Sequence, residues 1–195
     1  MYLYHYFEKS KGPFLSITEL PLDKAVDTLN EIKNRNQNLV NPNIDWFLKS
    51  RYEMEQKVRE QFVAIGGKPE RKSPVYMTLG EHLQFMTWYD NPACIKIPVA
   101  EFDRKTVSYT YGDVFAVFND ELNDGREFWN TVYMLDDIVE IVKKYGNPPY
   151  VEYNVRERIY PKETPINHLL KYVEAHVWSD DVIGKYRKEW ESAQV

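Results

Sequence analysis

Residues 171–178 read KYVEAHVW, a stretch in which apolar and polar side chains alternate. Because successive side chains of a β-strand point to opposite faces of a sheet, the alternation predicts a strand. One face of this strand is apolar and consists of Val173, Ala175 and Val177. The other face combines ionisable groups with large rings, from Tyr172, Glu174, His176 and Trp178. A glutamate between aromatic residues is either a half-buried functional carboxylate or a surface residue on an exposed sheet face.

Four further strand candidates lie between Pro74 and the middle of the chain, where β-branched and aromatic residues are bounded by turn residues. They are residues 75–80 (VYMTLG), 94–99 (CIKIPV), 107–111 (VSYTY) and 114–118 (VFAVF). Gly112-Asp113 is the predicted turn between the last two strands. Pro98 has no N–H to donate, so we expect the second strand to lie at a sheet edge or to contain a bulge.

The N-terminal third of the chain begins with a strand candidate and continues with helices. Residues 2–7 (YLYHYF) form the strand, which a turn at Gly12-Pro13 and an extended piece at 14–18 follow. Apolar residues at helical spacing predict helices at residues 21–34, 42–65, 135–145 and 180–190. This order predicts one α+β domain over residues 1–195, with a mainly antiparallel mixed sheet. Two N-terminal amphipathic helices and a C-terminal helix flank that sheet.

Composition and charge narrow the class of protein. The 195 residues carry a net charge of −5, which argues against a general nucleic-acid coat protein and leaves residues 66–72 (GGKPERK) as the one candidate basic patch. No stretch approaches the ~20 apolar residues of a membrane span, and the N-terminus has no recognisable signal segment. Cys94 is the only cysteine, so no internal disulfide can form. We therefore expect a cytoplasmic protein without a membrane partner.

Several motifs of known chemistry are missing from the chain. There is no G-x-G-x-x-G, no P-loop, no G-x-S-x-G and no H-E-x-x-H sequence. The histidines are His5, His82, His168 and His176, and no two of them are three or four residues apart. Residues 119–125 (NDELNDG) lack the spacing of a calcium-binding loop and are predicted to be a solvated loop. No metal is expected.

Two further residues are candidates for a site. Alternation in residues 2–7 places His5 with Leu3 and Phe7, so its imidazole points towards a core or a cleft. His5 is then either a buried histidine with a backbone partner or a donor that orients a polar ligand. On the strand at 75–80, Tyr76 shares a face with Thr78. Its ring can stack on a planar heterocycle or simply pack against neighbouring side chains.

The segments LYHYF (residues 3–7) and FLSITEL (14–20), followed by a helix, resemble the opening of ADP-ribosyltransferase-like domains. The group of these domains that modifies DNA bases is similar in the order of its elements. The resemblance implies that His5 and Tyr76 bind NAD, which is the substrate, and that Glu174 in YVEAHVW is the catalytic residue. The chain also resembles a family of bacterial proteins of similar length, in the motifs YHYFE, GGKP and YGD. That second resemblance implies no activity.

The implied reaction has a consistent physical basis. Cleavage of the bond between nicotinamide and ribose develops positive charge on the sugar, and a nearby carboxylate stabilises that charge. The hypothesis requires His5, Tyr76 and Glu174 to line a single cleft that is wide enough for a dinucleotide.

Two alternatives belong to other classes. The first is a protein-binding module without chemistry, whose interface anchors are among Trp46, Trp88, Trp129 and Trp178. The second is a ligand-sensing domain that has the transferase fold without its activity.

Overall fold

The computed structural model of the protein describes residues 1–35, 43–148, 170 and 172–194. These residues contain one five-stranded antiparallel sheet. Its strands are β1 (Tyr2–Glu8), β2 (Val75–Leu79), β3 (Pro92–Pro98), β4 (Val107–Thr110) and β5 (Glu174–Val177). Their order across the sheet is β3-β1-β2-β5-β4, and every pairing between neighbours is antiparallel. Pro98 ends β3, which is an edge strand as the missing N–H predicts.

Cross-strand pairing decides which side chains share a face of the sheet. On the three adjacent strands β2, β5 and β4, paired residues form two rows of polar groups. We call this side the polar face, and its members on those strands are Tyr76, Thr78, Ser108, Thr110, Glu174 and His176. The opposite side is the apolar face, whose members there are Val75, Met77, Val107, Tyr109, Ala175 and Val177. The alternation predicted for β5 is confirmed.

Helices cover both faces. They are α1 (Leu22–Arg35), α2 (Ile44–Ala64), the one-turn α3 (Val114–Val117), α4 (Leu135–Tyr145) and α5 (Asp180–Ser192). From α2, the ring of Phe62 stacks 6.4 Å from that of Trp178, which continues the polar face beyond β5. From α5, the Trp190 ring meets the edge of Phe7 at 5.0 Å on the apolar face. The α+β class predicted from the sequence is confirmed, with the sheet between α2 and α5.

Local signals explain most of the helix bounds. Asn43 caps α2, because its Oδ1 accepts a hydrogen bond of 3.0 Å from the N–H of Trp46. The predicted opening of this helix at residues 41–42 lies outside the described residues. Gly66-Gly67 follows directly on the end of α2, as predicted, and α4 has the predicted bounds. Lys171, in the predicted C-terminal strand, also lies outside the described residues.

One predicted element is wrong and another ends early. Residues 114–118 form the helical turn α3 and not a strand, because the Asp113 side chain caps the turn by accepting from the N–H of Phe115 at 2.9 Å. A run of five apolar residues has no period that separates a strand from a buried helical turn. The predicted extended piece at 14–18 ends early, since a 3₁₀ turn begins at Ile17.

Two glycine substitutions are expected to have opposite effects on stability. A Cβ at Gly184, inside α5, would meet no heavy atom within 4 Å. Gly184→Ala should therefore raise the free energy of unfolding by about 1 kcal/mol through helix propensity. A Cβ at Gly67 would lie 2.5 Å from the ring of buried Phe62, so Gly67→Ala should lower it by about 1–3 kcal/mol. Urea unfolding measures both, and equal signs would contradict the packing described at Gly67.

Candidate active site

Charged and aromatic side chains from four parts of the chain meet above the polar face. We call them the Arg51–Glu174 cluster, whose members are Arg51, Glu55, Tyr76, Asp113, Tyr172 and Glu174. The buried stripe of α2 includes Leu48, Val58 and Phe62 at helical spacing. Arg51 and Glu55 fall on the same stripe, where two charged residues replace the expected apolar ones. The fold therefore directs them onto the sheet.

Arg51 lies at the centre of the cluster. Its Cζ is 4.0 Å from the centroid of the Tyr76 ring and 5.2 Å from that of Phe115. Burial acts to lower the pKa of the guanidinium, but the acidic groups of Tyr76, Glu174, Glu55 and Asp113 outweigh burial and raise it. Arg51 is therefore a permanent cation.

The guanidinium of Arg51 retains an unused donor. Its Nε is buried and has no hydrogen-bond partner among the described residues. Buried polar groups are normally paired, and the few exceptions in native structures call for an explanation. Stacking on the Tyr76 ring fixes the orientation of the guanidinium, and this N–H has no acceptor among the described residues.

Glu55 forms the second acidic position of the cluster. Its Oε1 accepts from the hydroxyl of Thr18 at 3.0 Å and from the hydroxyl of Tyr76 at 3.2 Å. Burial raises the pKa of Glu55, and the charge of Arg51 together with these hydrogen bonds offsets part of that rise. Burial likewise raises the pKa of Tyr76 well above its ordinary value, so the phenol is protonated and donates to Glu55.

Glu174 is held through one of its two carboxylate oxygens. Oε2 accepts from the backbone N–H of Val114 at 2.9 Å and lies 3.3 Å from Nε2 of His176. Among the described residues, Oε1 has only a long contact of 3.5 Å with the Tyr172 hydroxyl. Tyr172 is also 3.2 Å from Oδ2 of Asp113. The carboxylate is thus oriented by two donors on one oxygen and presents the other to the cluster.

A buried row of side chains supports Glu174 from behind. Because a carboxylate only accepts, His176 donates through Nε2 to Glu174. In the neutral ring Nδ1 then accepts from the hydroxyl of Ser108 at 3.3 Å. Ser108 in turn accepts from Nε1 of Trp178 at 3.0 Å.

This serine, histidine and glutamate have the connectivity of a hydrolase triad, but Ser108 and His176 have no exposed surface. A substrate carbonyl cannot reach that hydroxyl. The row therefore positions Glu174 and does not supply a nucleophile.

The three residues predicted from the sequence do not form one cleft, so the arrangement that the NAD hypothesis required of them is wrong. Tyr76 and Glu174 share the polar face and both belong to the cluster. Tyr4 pairs with Thr78 on that same face, so its neighbour His5 points to the apolar face. His5 stacks there between Phe7 and Phe14, at centroid distances of 5.5 Å and 4.7 Å. The register of β1 against β2 thus separates His5 from Glu174.

His5 has both ring nitrogens engaged with the backbone. Nε2 accepts from the N–H of Phe14 at 2.8 Å, so Nδ1 carries the proton and donates to the carbonyl of Tyr76 at 3.1 Å. Burial lowers the pKa of His5 to about 4. The interpretation of His5 as a buried histidine with a backbone partner is confirmed.

The pKa of His5 predicts an acid-sensitive stability. Below about pH 6.5 the unfolded chain binds a proton on His5 that the folded protein does not bind until about pH 4. Stability is therefore complete above pH 6.5 and falls by about 3 kcal/mol on acidification to pH 4. His5→Asn keeps a donor and an acceptor but does not titrate. Chemical unfolding from pH 7 to 4 should show a smaller loss in this variant, and parallel profiles would contradict the pKa shift.

The structure adds Arg51, Glu55, Asp113 and Tyr172 to the predicted site residues. The signal for the first two was present, as charged residues on the buried stripe of a long helix. Asp113 was predicted only as a turn residue, and Tyr172 was placed on the correct face of β5 without a role. Their meeting depends on tertiary packing.

The burial of side chains restricts two other hypotheses from the sequence, the basic patch and the tryptophan interface anchors. In the candidate basic patch at residues 66–72, Arg71 is buried and ion-paired with Glu19 and Asp180. It therefore offers no charge to a partner. Of the four tryptophans considered as interface anchors, Trp129 and Trp178 are buried, whereas Trp46 is 52% exposed.

Comparisons of the chain with protein-family models, with curated proteins and with solved structures found no match. None of the helices among the described residues is long and apolar enough to cross a membrane. Within residues 1–35, 43–148, 170 and 172–194, no group of three or more metal-binding side chains is arranged to hold an ion. The geometry of the Arg51–Glu174 cluster is the basis for the function that follows.

Proposed function

We propose that the protein is an ADP-ribosyltransferase-like enzyme that cleaves the nicotinamide–ribose bond of NAD, with Glu174 as the catalytic residue. The observation that carries the proposal is the carboxylate of Glu174, which is anchored through Oε2 and presents Oε1 to an aromatic, charged cluster. A carboxylate in this position can stabilise positive charge that develops on a sugar ring. NAD is proposed as the substrate because the N-terminal segment and YVEAHVW resemble these domains.

The net charge of the cluster supports a cationic transition state. The carboxyl groups of Glu55, Asp113 and Glu174 surround Arg51, which is the cation that the described residues place in the cluster. Burial raises the pKa of Glu55, and the charge of Arg51 offsets part of that rise. The acidic groups outnumber this cation, and the balance favours an oxocarbenium-like sugar over a neutral or anionic intermediate.

Tyr76 and Arg51 give the cluster means of binding the dinucleotide. The Tyr76 ring has Arg51 over it and the edge of His176 at 5.5 Å, so its position is fixed. The positive charge of Arg51, whose side chain is partly exposed, can attract a diphosphate oxygen. Arg51, Asp113 and Phe115 are partly exposed, and the cluster reaches solvent through them.

In the proposed reaction the C–N bond to nicotinamide breaks and its electron pair leaves with the neutral base. An oxygen of the acceptor then bonds to the anomeric carbon and releases its proton. With water as the acceptor, the products are ADP-ribose, nicotinamide and a proton. The requirement that His5, Tyr76 and Glu174 line one cleft is not met, because His5 lies on the apolar face with both ring nitrogens bonded to the backbone. The proposal therefore assigns no contact with NAD to His5 and depends on Glu174, Tyr76 and Arg51.

The test is to incubate the purified protein with NAD and to quantify free nicotinamide by chromatography. NADH is the chemical control, because its uncharged dihydronicotinamide is a poor leaving group. We expect nicotinamide release from NAD above the buffer blank and none from NADH. No release from NAD, either alone or with single-stranded DNA or protein extracts added as acceptors, would overturn the proposal.

A further inference from the structure

A cavity separate from the Arg51–Glu174 cluster lies between the end of β1, the chain that follows it and α1. Its volume is about 380 Å³, within the range of pockets that hold small molecules. His5 and Ser16 line it from one side, Thr28 and Ile32 of α1 from another, and Trp88 closes it. It shares no residue with the cluster.

The lining combines aromatic residues with an acidic balance. The aromatic residues are Phe7, Trp88 and Tyr89, beside the ring of His5. Tyr6 also lines the cavity, but its ring stacks on Phe85 on the opposite face of β1. The acidic groups are Glu8 and Asp90, and Lys11 is the only basic residue among the described residues of the lining. The ammonium of Lys11 lies 3.2 Å from the carboxylate of Glu31, which is outside the lining, so its charge is compensated.

Neighbouring contacts keep this arrangement in place. The carboxylate of Glu8 accepts from the backbone N–H groups of Asp90 at 3.1 Å and Asn91 at 3.2 Å, which fixes its position. Burial keeps His5 uncharged at neutral pH, with a pKa of about 4. Arg187, the nearby cation that lowers this pKa, donates to the carbonyl of Phe14 and is not part of the lining.

We infer that this cavity binds a small organic cation, of the alkylammonium class, between its aromatic residues and the carboxylates of Glu8 and Asp90. Aromatic rings attract a cation through their quadrupole, and they do so most strongly for weakly hydrated groups such as quaternary ammonium. The two acidic side chains add attraction at the same place, whereas they repel anions such as phosphates. Apolar neighbours such as Ile17, Leu20 and Ile32 accommodate the alkyl part of the ligand.

The test compares choline with 3,3-dimethylbutan-1-ol, which has the same shape but a carbon in place of the charged nitrogen. Binding is measured by ligand-observed NMR titration, with benzyltrimethylammonium as a larger cation. We expect the cations to bind roughly two- to thirtyfold more tightly than the neutral alcohol. Equal or tighter binding of the alcohol, or binding of none of the three, overturns the inference.

Matched variants locate the binding. Glu8→Gln keeps an oxygen acceptor for the two N–H groups, and Asp90→Asn removes an exposed charge, so both proteins should fold. Each should weaken choline binding. Glu31→Gln leaves the lining intact but releases the charge of Lys11, and it should weaken choline binding while the neutral alcohol is unaffected. Unchanged choline affinity in all three variants contradicts the assignment. Nicotinamide release from NAD does not enter any of these readings, so the outcome is independent of the proposed activity.

Discussion

Glu174→Gln is expected to reduce nicotinamide release from NAD by at least about 100-fold, because it removes the charge that stabilises the sugar cation. Glutamine is the most informative replacement at this position, because it has the same size as glutamate but no charge. Its amide oxygen can take the place of Oε2 and accept from the N–H of Val114 and from Nε2 of His176. The amide NH₂ then takes the place of Oε1. The side chain keeps its shape and anchoring and loses only its charge.

The fold of the Glu174→Gln protein should survive. Two hydrogen bonds to a charged acceptor become bonds to a neutral one, which costs on the order of 1 kcal/mol in the free energy of unfolding. Circular dichroism and urea unfolding check this point. Glu189→Gln, an exposed glutamate on α5, is the matched control and should retain full turnover. If Glu174→Gln releases nicotinamide at the rate of this control, the assignment of Glu174 as the catalytic residue is contradicted.

A second substitution tests the buried side chains that support Glu174. Ser108→Ala removes the hydroxyl that joins His176 to Trp178 and leaves the carboxylate itself in place. A loss of turnover that is much smaller than in Glu174→Gln would agree with a positioning role. A loss as large as that of Glu174→Gln, in a protein that is still folded, would indicate that the serine acts directly.

Much of the fold could be predicted from periodicity and turn residues. The two faces of β5, the bounds of α4 and the end of α2 at Gly66-Gly67 follow from side-chain alternation, helical spacing and glycine. Residues 114–118 could not be predicted in this way, since their conformation depends on a cap from Asp113 and on the bond from Val114 to Glu174. The second partner lies sixty residues away in the chain.

The site was predictable only in part. Alternation placed His5 opposite the tyrosines of β1 and placed Glu174 with His176, and both placements hold. Whether His5 and Glu174 face each other depends on the register of β1 against β2, which pairs Tyr4 with Thr78. A shift of one residue in that register would have brought His5 to the polar face. No local pattern in the sequence determines the register.

The contacts of Arg51 also depend on tertiary packing that the sequence does not reveal. A charged residue on the buried stripe of α2 is a signal that can be read from the sequence, but no pattern in the sequence identifies the partners of Arg51. Glu174 comes more than a hundred residues later in the chain, and Asp113 lies between them in an unrelated turn. The cluster exists because α2 packs across the polar face, with Phe62 against Trp178.

Arg51→Met is expected to lower the free energy of unfolding by about 3 kcal/mol or more at pH 7. The change removes the cation that the described residues place among the carboxyl groups of Glu55, Asp113 and Glu174, and uncompensated buried charge is strongly destabilising. Lys49→Met is the matched control, because it removes the same charge from an exposed position on the same helix. It should change stability by less than about 0.5 kcal/mol.

The pH dependence distinguishes loss of charge from loss of packing in Arg51→Met. Without Arg51, the opposing effect of its charge on Glu55 is lost, so the pKa of Glu55 in the folded protein rises further above its value in the unfolded chain. Stability of the variant should therefore rise relative to wild type as the pH falls from 7 towards 4.5. A deficit that stays constant across this range would mean that Arg51 acts through its contact with the Tyr76 ring alone.

A double variant tests the same charge balance at constant pH. Adding Glu55→Gln to Arg51→Met removes one of the unpaired carboxylates and keeps an acceptor for Thr18 and Tyr76. It should recover part of the lost stability, whereas Glu55→Gln alone should not stabilise the protein to the same extent. Additive effects of the two substitutions would contradict direct coupling between these side chains. Because unfolding is the only measurement, the result bears on the electrostatics of the cluster whether or not the protein cleaves NAD.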